Sequence, residues 1–239
     1  MIGMMGIKIL IKLLEYMPEK VTKKIANVII HRILHKYAKV SVEGYENLKN
    51  VKGPILFICN HLSNADGLIL NEVLKKEDVT FVAGVKLGDN SFTNLGVITV
   101  KTTPIVPNSA DNDGLKKIIK ILKKGENVLV FPEGTRSRCG SMIAGKKGVV
   151  MMQKLSKALI VPIGLTGTEK LLPINDQDMG KEKFHHAAVK VKIGEPIQMP
   201  EKKVDETKED YEERKLQHFM TSIARLLPEK YRGVYANCI

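Results

Sequence analysis

Two short stretches of this 239-residue chain carry side chains suited to acid–base and anion chemistry. The first is Asn60-His61-Leu62-Ser63-Asn64-Ala65-Asp66, directly after the apolar run Ile55–Cys59. A carboxylate bonded to one imidazole nitrogen fixes the tautomer and leaves the other nitrogen as a base. Positions five apart diverge by about 140° within one helix. A His61–Asp66 contact therefore needs His61 in a turn and Asp66 at the start of the next helix. The apolar run before the motif and the helical pattern over Leu68–Leu74 supply that context. The plainer alternative is a histidine that caps the helix beside an exposed Asp66. Ser63 sits only two residues from His61 and lacks a G-x-S-x-G elbow, and Cys59 in its apolar strand reads as a structural thiol.

The second stretch is Phe131-Pro132-Glu133-Gly134-Thr135-Arg136-Ser137, which ends the strand-like run Asn127–Phe131. Gly134 permits positive φ or close backbone approach. The backbone N–H groups of Gly134 and Thr135 offer donors to an anion or a developing oxyanion. Arg136 presents a planar fork suited to phosphate. The alternative is a glycine turn with an exposed arginine, weakened by a second polar cluster at a strand end in the same chain.

The elements that must place these motifs follow from the hydrophobic pattern. Short β-rich runs at Val40–Glu43, Pro54–Cys59, Val79–Ala83, Val97–Lys101, Asn127–Phe131, Leu159–Leu165 and Val189–Ile193 alternate with helical stretches. The clearest helices are Leu68–Leu74, Asp113–Leu122 and Lys146–Leu155. Such alternation predicts an α/β domain with a mainly parallel central sheet flanked by helices. Its ligand sites lie at the carboxyl ends of the strands. Residues 201–215 are highly charged and expected to be solvated. A last helix then carries Leu216, Phe219, Met220, Ile223 and Leu227 on one face.

Residues 1–38 differ from the rest. Ile7, Leu10, Ile11 and Leu14 follow helical spacing, Pro18 breaks the run, and Ile25, Ile29 and Ile33 line a second helix beside Ala26, Ile30 and Leu34. No window approaches the ~20 apolar residues that span a bilayer. Residues 1–40 hold eight Lys and Arg against two Glu, half of the net charge of +12. An amphipathic two-helix anchor lying in an anionic membrane surface accounts for both features, and packing on the domain's own core is the alternative. The expected organisation is this anchor over residues 1–38 and an α/β domain over 39–239.

Together the two motifs, about 65 residues apart, resemble the glycerophosphate acyltransferase superfamily. More narrowly, they resemble bacterial 1-acyl-sn-glycerol-3-phosphate acyltransferases, over roughly residues 40–200. Val161-Pro162-Ile163 matches that family's fourth block. The second block usually reads Gly-x-x-Phe-x-x-Arg, whereas here Gly96 is followed by Thr99 at the aromatic position and Thr102 at the arginine. Lys101, and Lys86 before the block, are the cations that resemble the family's; Lys146-Lys147 resembles its basic segment after the third motif.

The resemblance implies acyl transfer from an acyl thioester of coenzyme A or acyl carrier protein to a lysophospholipid acceptor, with phosphatidic acid as product. His61 is then the base, Asp66 its orienting carboxylate, and backbone donors near Gly134 the oxyanion stabilisers. Glu133, Thr135, Arg136, Lys101 and Lys86 are implied in substrate binding, and the family's chemistry uses no metal or cofactor. The implied location is peripheral, on the cytoplasmic face of the membrane.

Composition narrows the rivals. Three separated cysteines without a C-x-x-C point to free thiols in a reducing compartment rather than to zinc. A pI near 9.5 invites nucleic acid, but the aromatic content is 5%, there is no Trp, and no recognition helix or RNP-like signature occurs. His185-His186, in a charged loop without other ligands nearby, reads as solvated.

Overall fold

The computed structural model describes residues 18–84, 98–106, 112–177 and 182–238. Among these residues seven strands form one sheet: β1 (Ala38–Glu43), β2 (Ile55–Cys59), β3 (Thr80–Gly84), β4 (Thr102–Ile105), β5 (Val128–Val130), β6 (Leu159–Thr166) and β7 (Ala187–Ile193). Their spatial order is β1-β7-β6-β2-β5-β3-β4. Every pairing is parallel except β6 with β7. The sheet is thus mainly parallel, as expected.

The continuous apolar run of β2 has a simple cause: both faces of the strand are covered. Ile55, Phe57 and Cys59 enter one core, with Phe81, Leu129, Val161 and Ile163. Leu56 and Ile58 point the other way, into a second core with Val128, Val130 and Ile160. The first core is closed by α1 (Glu19–Tyr37) and α2 (Asp66–Val73). The second is closed by α3 (Asn112–Lys123), α4 (Gly148–Ser156) and α6 (Lys208–Arg225). A single helical turn, α5 (Thr168–Leu171), follows β6.

On α1, Ala26, Ile30 and Leu34 recur at i, i+4, i+8 and are buried in the first core, with Ile25 and Ile29 packed beside them. This half of the expected anchor therefore rests on the domain. Its outer surface leaves Val21 and Val28 about half exposed, at 44% and 46%. The other half, Met1–Met17, lies outside the described residues. No helix among the described residues is long and apolar enough to cross a membrane.

Two boundaries differ from the sequence pattern. Val97–Lys101 was the expected fourth strand, yet Ile98 and Thr99 are helical and the strand is Thr102–Ile105. Among the described residues β4 pairs only with β3 and so lies at the edge of the sheet, where Pro104, without an N–H to donate, is tolerated. The last helix begins inside the charged stretch, because Thr207 caps it: its side chain accepts from the Asp210 N–H at 3.1 Å. Arg214 then folds back onto Glu206 through two contacts of 2.7 Å.

Candidate active site

β2 and β5 are neighbours, with Ile58 opposite Val130. Both motifs therefore leave the sheet side by side at the carboxyl ends of adjacent parallel strands. His61 Nδ1 lies 2.7 Å from Asp66 Oδ2. Asp66 opens α2 and is fully buried, while 19% of the His61 side chain reaches solvent. The same Oδ2 accepts the backbone N–H groups of Leu62 at 2.6 Å and Ser63 at 2.9 Å. Three donors on one oxygen hold the carboxylate rigidly, and it fixes the imidazole through Nδ1. Nε2 makes no hydrogen bond among the described residues.

The second motif grips His61 from the other side. The His61 N–H donates to Glu133 Oε1 at 2.8 Å, and the His61 carbonyl accepts from the Ser137 N–H at 2.8 Å. The Phe131 ring stacks on the imidazole at 4.0 Å with a 13° tilt. Glu133 Oε2 accepts from the Ile143 N–H at 2.9 Å. Glu133 is completely buried. Burial pushes its carboxyl up to about 7, against the two backbone bonds that pull it down. Glu133 therefore acts as a clamp inside the protein, each of its oxygens held by a backbone N–H.

Asn60 anchors the loop to the third neighbouring strand. Its amide donates to the Leu165 carbonyl and accepts from the Leu165 N–H, both at 2.8 Å. The side chain thus imitates one more rung of the β2–β6 ladder. Ser63 is buried and donates to the Leu172 carbonyl at 2.7 Å, so it is structural. Cys59 is buried too, with its thiol pushed well up, chiefly by burial.

Gly134 adopts φ +71°, and a Cβ there would come within 3.2 Å of the Lys146 side chain. Glycine is needed both for the backbone conformation and for the lysine that lies across the turn. The expectation that the Gly134 N–H stabilises an oxyanion meets a geometric obstacle: that N–H donates to the Phe131 carbonyl at 3.0 Å, closing the turn. The next N–H, of Thr135, has no acceptor among the described residues, and Thr135 is exposed.

Arg136 follows at the rim, 15% exposed, with Nη1 2.7 Å from Glu182 Oε1. Glu182 is 3% exposed. Its other oxygen accepts from Asn64 Nδ2 at 2.8 Å. One acid from the segment after α5 thus ties Arg136 of the second motif to Asn64 of the first. Sequence reasoning missed Glu182 because it sits in the run Lys181-Glu182-Lys183, which has the signature of a solvated loop.

Lys101 is not brought to this site. It precedes β4, where Nζ lies 3.0 Å from Asp78 and 3.3 Å from Glu126, residues that precede β3 and β5. These are the amino ends of the strands, at the opposite end of the sheet from His61. Lys86 lies outside the described residues. No group of three or more His, Cys, Asp or Glu among the described residues is arranged to hold a metal.

The Acyltransferase family profile matches residues 39–166, more than half of the chain. The chain belongs to this acyltransferase family. That stretch contains both motifs and runs from β1 to the end of β6. Among curated relatives, the chloroplastic 1-acyl-sn-glycerol-3-phosphate acyltransferase of Arabidopsis thaliana is 32% identical over 69% of this chain and 45% of its own length. The 1-acyl-sn-glycerol-3-phosphate acyltransferase of Bacillus subtilis is 28% identical over 69% of this chain and 77% of its own. The chain spans about half the length of the chloroplastic relatives it matches in Arabidopsis thaliana and Brassica napus. The crystal structure of the 1-acyl-sn-glycerophosphate acyltransferase PlsC from Thermotoga maritima superposes with a TM-score of 0.58 at 25% identity. The match covers 87% of this chain and 81% of that chain.

Proposed function

We propose that this acyltransferase moves a fatty acyl group from an acyl thioester to the sn-2 hydroxyl of 1-acyl-sn-glycerol-3-phosphate. The observation that carries this reading is the buried Asp66 carboxylate on His61 Nδ1, at 2.7 Å, in a histidine whose side chain is 19% exposed. The relatives' names point to the same acceptor.

In the reaction, the acceptor hydroxyl lies against His61 Nε2. Its oxygen attacks the thioester carbonyl while Nε2 takes the proton, and Asp66 stabilises the imidazolium. The tetrahedral oxyanion meets the Thr135 N–H and the cation of Lys146 beside Gly134. Collapse breaks the carbon–sulfur bond. The thiolate leaves as a thiol, taking the proton back from His61, and no acyl group is held by the protein. Arg136 contacts the acceptor phosphate through the guanidinium donors that Glu182 leaves open. Acyl-coenzyme A and acyl carrier protein are both suitable donors. Residues 1–38 bring the site to an anionic bilayer from the cytoplasmic side, as a peripheral anchor.

A different phosphate-bearing acceptor is favoured by one observation. Lys101 is held at the far end of the sheet, so it cannot replace the arginine that the second block lacks. The test is product analysis by mass spectrometry on the purified chain, with both donors against lysophosphatidic acid, glycerol-3-phosphate and other lysolipids. Phosphatidic acid formed only from lysophosphatidic acid is the expected result, and product from none of the pairings would overturn the proposal.

Glu182 gives a separate kinetic prediction. Glu182→Ala strands Arg136 and frees Asn64, so KM for the phosphate-bearing acceptor should rise about tenfold, the equivalent of ~1.4 kcal/mol. The turnover number should change much less, since neither residue touches the reacting oxygen. Glu182→Gln, which keeps an acceptor for Arg136, should recover most of the loss. A fall in kcat with unchanged KM would contradict this role.

A further inference from the structure

A cavity of about 280 Å3 lies outside the His61 site, between the outer face of β6–β7 and the end of α6. Its walls come from four separate stretches of chain. β7 alternates strictly: Val189, Val191 and Ile193 are buried, while Lys190 and Lys192 point to the other face. α6 ends at Arg225, and Pro228 turns the chain so that Arg232 returns to the same space. The floor is Gly164 of β6, where a Cβ would lie 2.8 Å from Leu226 Cβ. Only glycine allows the end of α6 to sit this close to the sheet.

The charge in this groove is one-sided. Lys190, Lys192, Arg225 and Arg232 all line it, and among the described residues no carboxylate does. Lys190 is paired at 2.6 Å with Glu43 on β1, and both are about half exposed. Lys192 lies opposite the same Glu43 in the β1–β7 pairing and shares its charge with Lys190, while Arg225 has no hydrogen-bond or ion-pair partner among the described residues. Arg232 Nε donates to the Leu227 carbonyl at 3.0 Å, which fixes the guanidinium plane and leaves both NH2 groups to a ligand. The carbonyl end of α6 adds about half a negative charge, too little to balance the cluster. Leu226 and Leu227 supply low-dielectric walls, an arrangement that focuses the field of like charges.

We propose that this groove binds a phosphate monoester, as a second anion site separate from the His61 centre. The volume is near the lower end for small-molecule pockets, so it admits a phosphate with a small substituent and excludes a helix. The planar arginine forks match phosphate oxygens, and the lysines add point charges. The phosphate can come from a soluble ester or from the headgroup of phosphatidic acid in a bilayer.

The test uses the full chain at physiological ionic strength. Inorganic phosphate and glycerol-3-phosphate are titrated calorimetrically into the wild type, Arg136→Ala and the double charge reversal Lys192→Glu/Arg225→Glu. The double reversal is repeated in the Arg136→Ala background. In parallel, sedimentation with phosphatidylcholine vesicles measures the extra binding caused by phosphatidic acid. Binding that survives in Arg136→Ala and weakens at least about tenfold on the added reversal supports the site with a soluble ligand. A loss confined to the phosphatidic-acid increment supports it with a lipid headgroup. Unchanged binding in both arms overturns it. Lys192→Gln/Arg225→Gln, which makes no new charge, should give the same loss in smaller degree, with an unchanged melting temperature as the fold control.

Discussion

Replacing His61 by alanine is expected to lower kcat for acyl transfer by ~10²–10⁴-fold, the usual contribution of a positioned general base. KM should stay nearly constant, because the imidazole contributes little to ground-state binding. Asp66→Asn should lose almost as much by a different route. The amide can present its NH2 to Nδ1 and leave the proton on Nε2, the nitrogen that must accept one. It also faces the Leu62 and Ser63 N–H groups that now share Oδ2. Because the two residues act as one unit, the double variant should be scarcely worse than His61→Ala alone. Single-turnover assays on all three variants check this, and additive losses would mean that Asp66 acts independently of His61.

The second large effect is expected at Glu133. Its carboxyl is raised to about 7 in the folded chain, with burial as the main cause, against roughly 4.3 for an unperturbed glutamate. The folded state therefore holds more protons than the unfolded state between those values. By linkage, stability falls as pH rises through that window, and each unit of raised pKa corresponds to about 1.4 kcal/mol. Glu133→Gln removes the titration but opposes an NH2 to one of two backbone donors, which costs ~1–3 kcal/mol in a buried site. Urea unfolding should thus find the variant clearly less stable near pH 5, with the gap narrowing towards pH 8. Activity should fall at every pH, since the His61 backbone loses half of its grip on the second motif. A gap that widened with pH would show that the ionised form is the one the fold favours.

The sheet was legible because it is written in local patterns. Apolar runs of strand length separated by amphipathic helices leave few arrangements, and β2, β5 and β6 fall where the runs place them. Thr102–Ile105 was hidden because Thr-Thr-Pro-Ile is a poor strand pattern, acceptable only at a sheet edge. The His61–Asp66 pairing was legible too, because a strand, a turn and a helix start are all local. The grip on the His61 backbone was not, since it joins Glu133 and Ser137 to a residue more than 70 positions away. Lys101 misled for a related reason. Sequence neighbours say which strand a residue borders, but only the pairing with β3 says at which end of the sheet it lies. Glu182 was invisible because nothing in its own neighbourhood distinguishes it from a solvated acid.

The way His61 is held has a consequence for how the molecule comes to be active. The loop after β2 is secured by Ser137 and Glu133, by Leu165 through Asn60, and by Leu172 through Ser63. All of these partners lie far downstream in the chain. Contacts of such long sequence separation form slowly, because loop-closure entropy is spent before they give any return. A nascent or refolding chain can therefore complete α2 and β2 early and still have no oriented base. Competence arrives only when β5 and β6 have docked on either side of β2, so that a half-built molecule stays chemically silent.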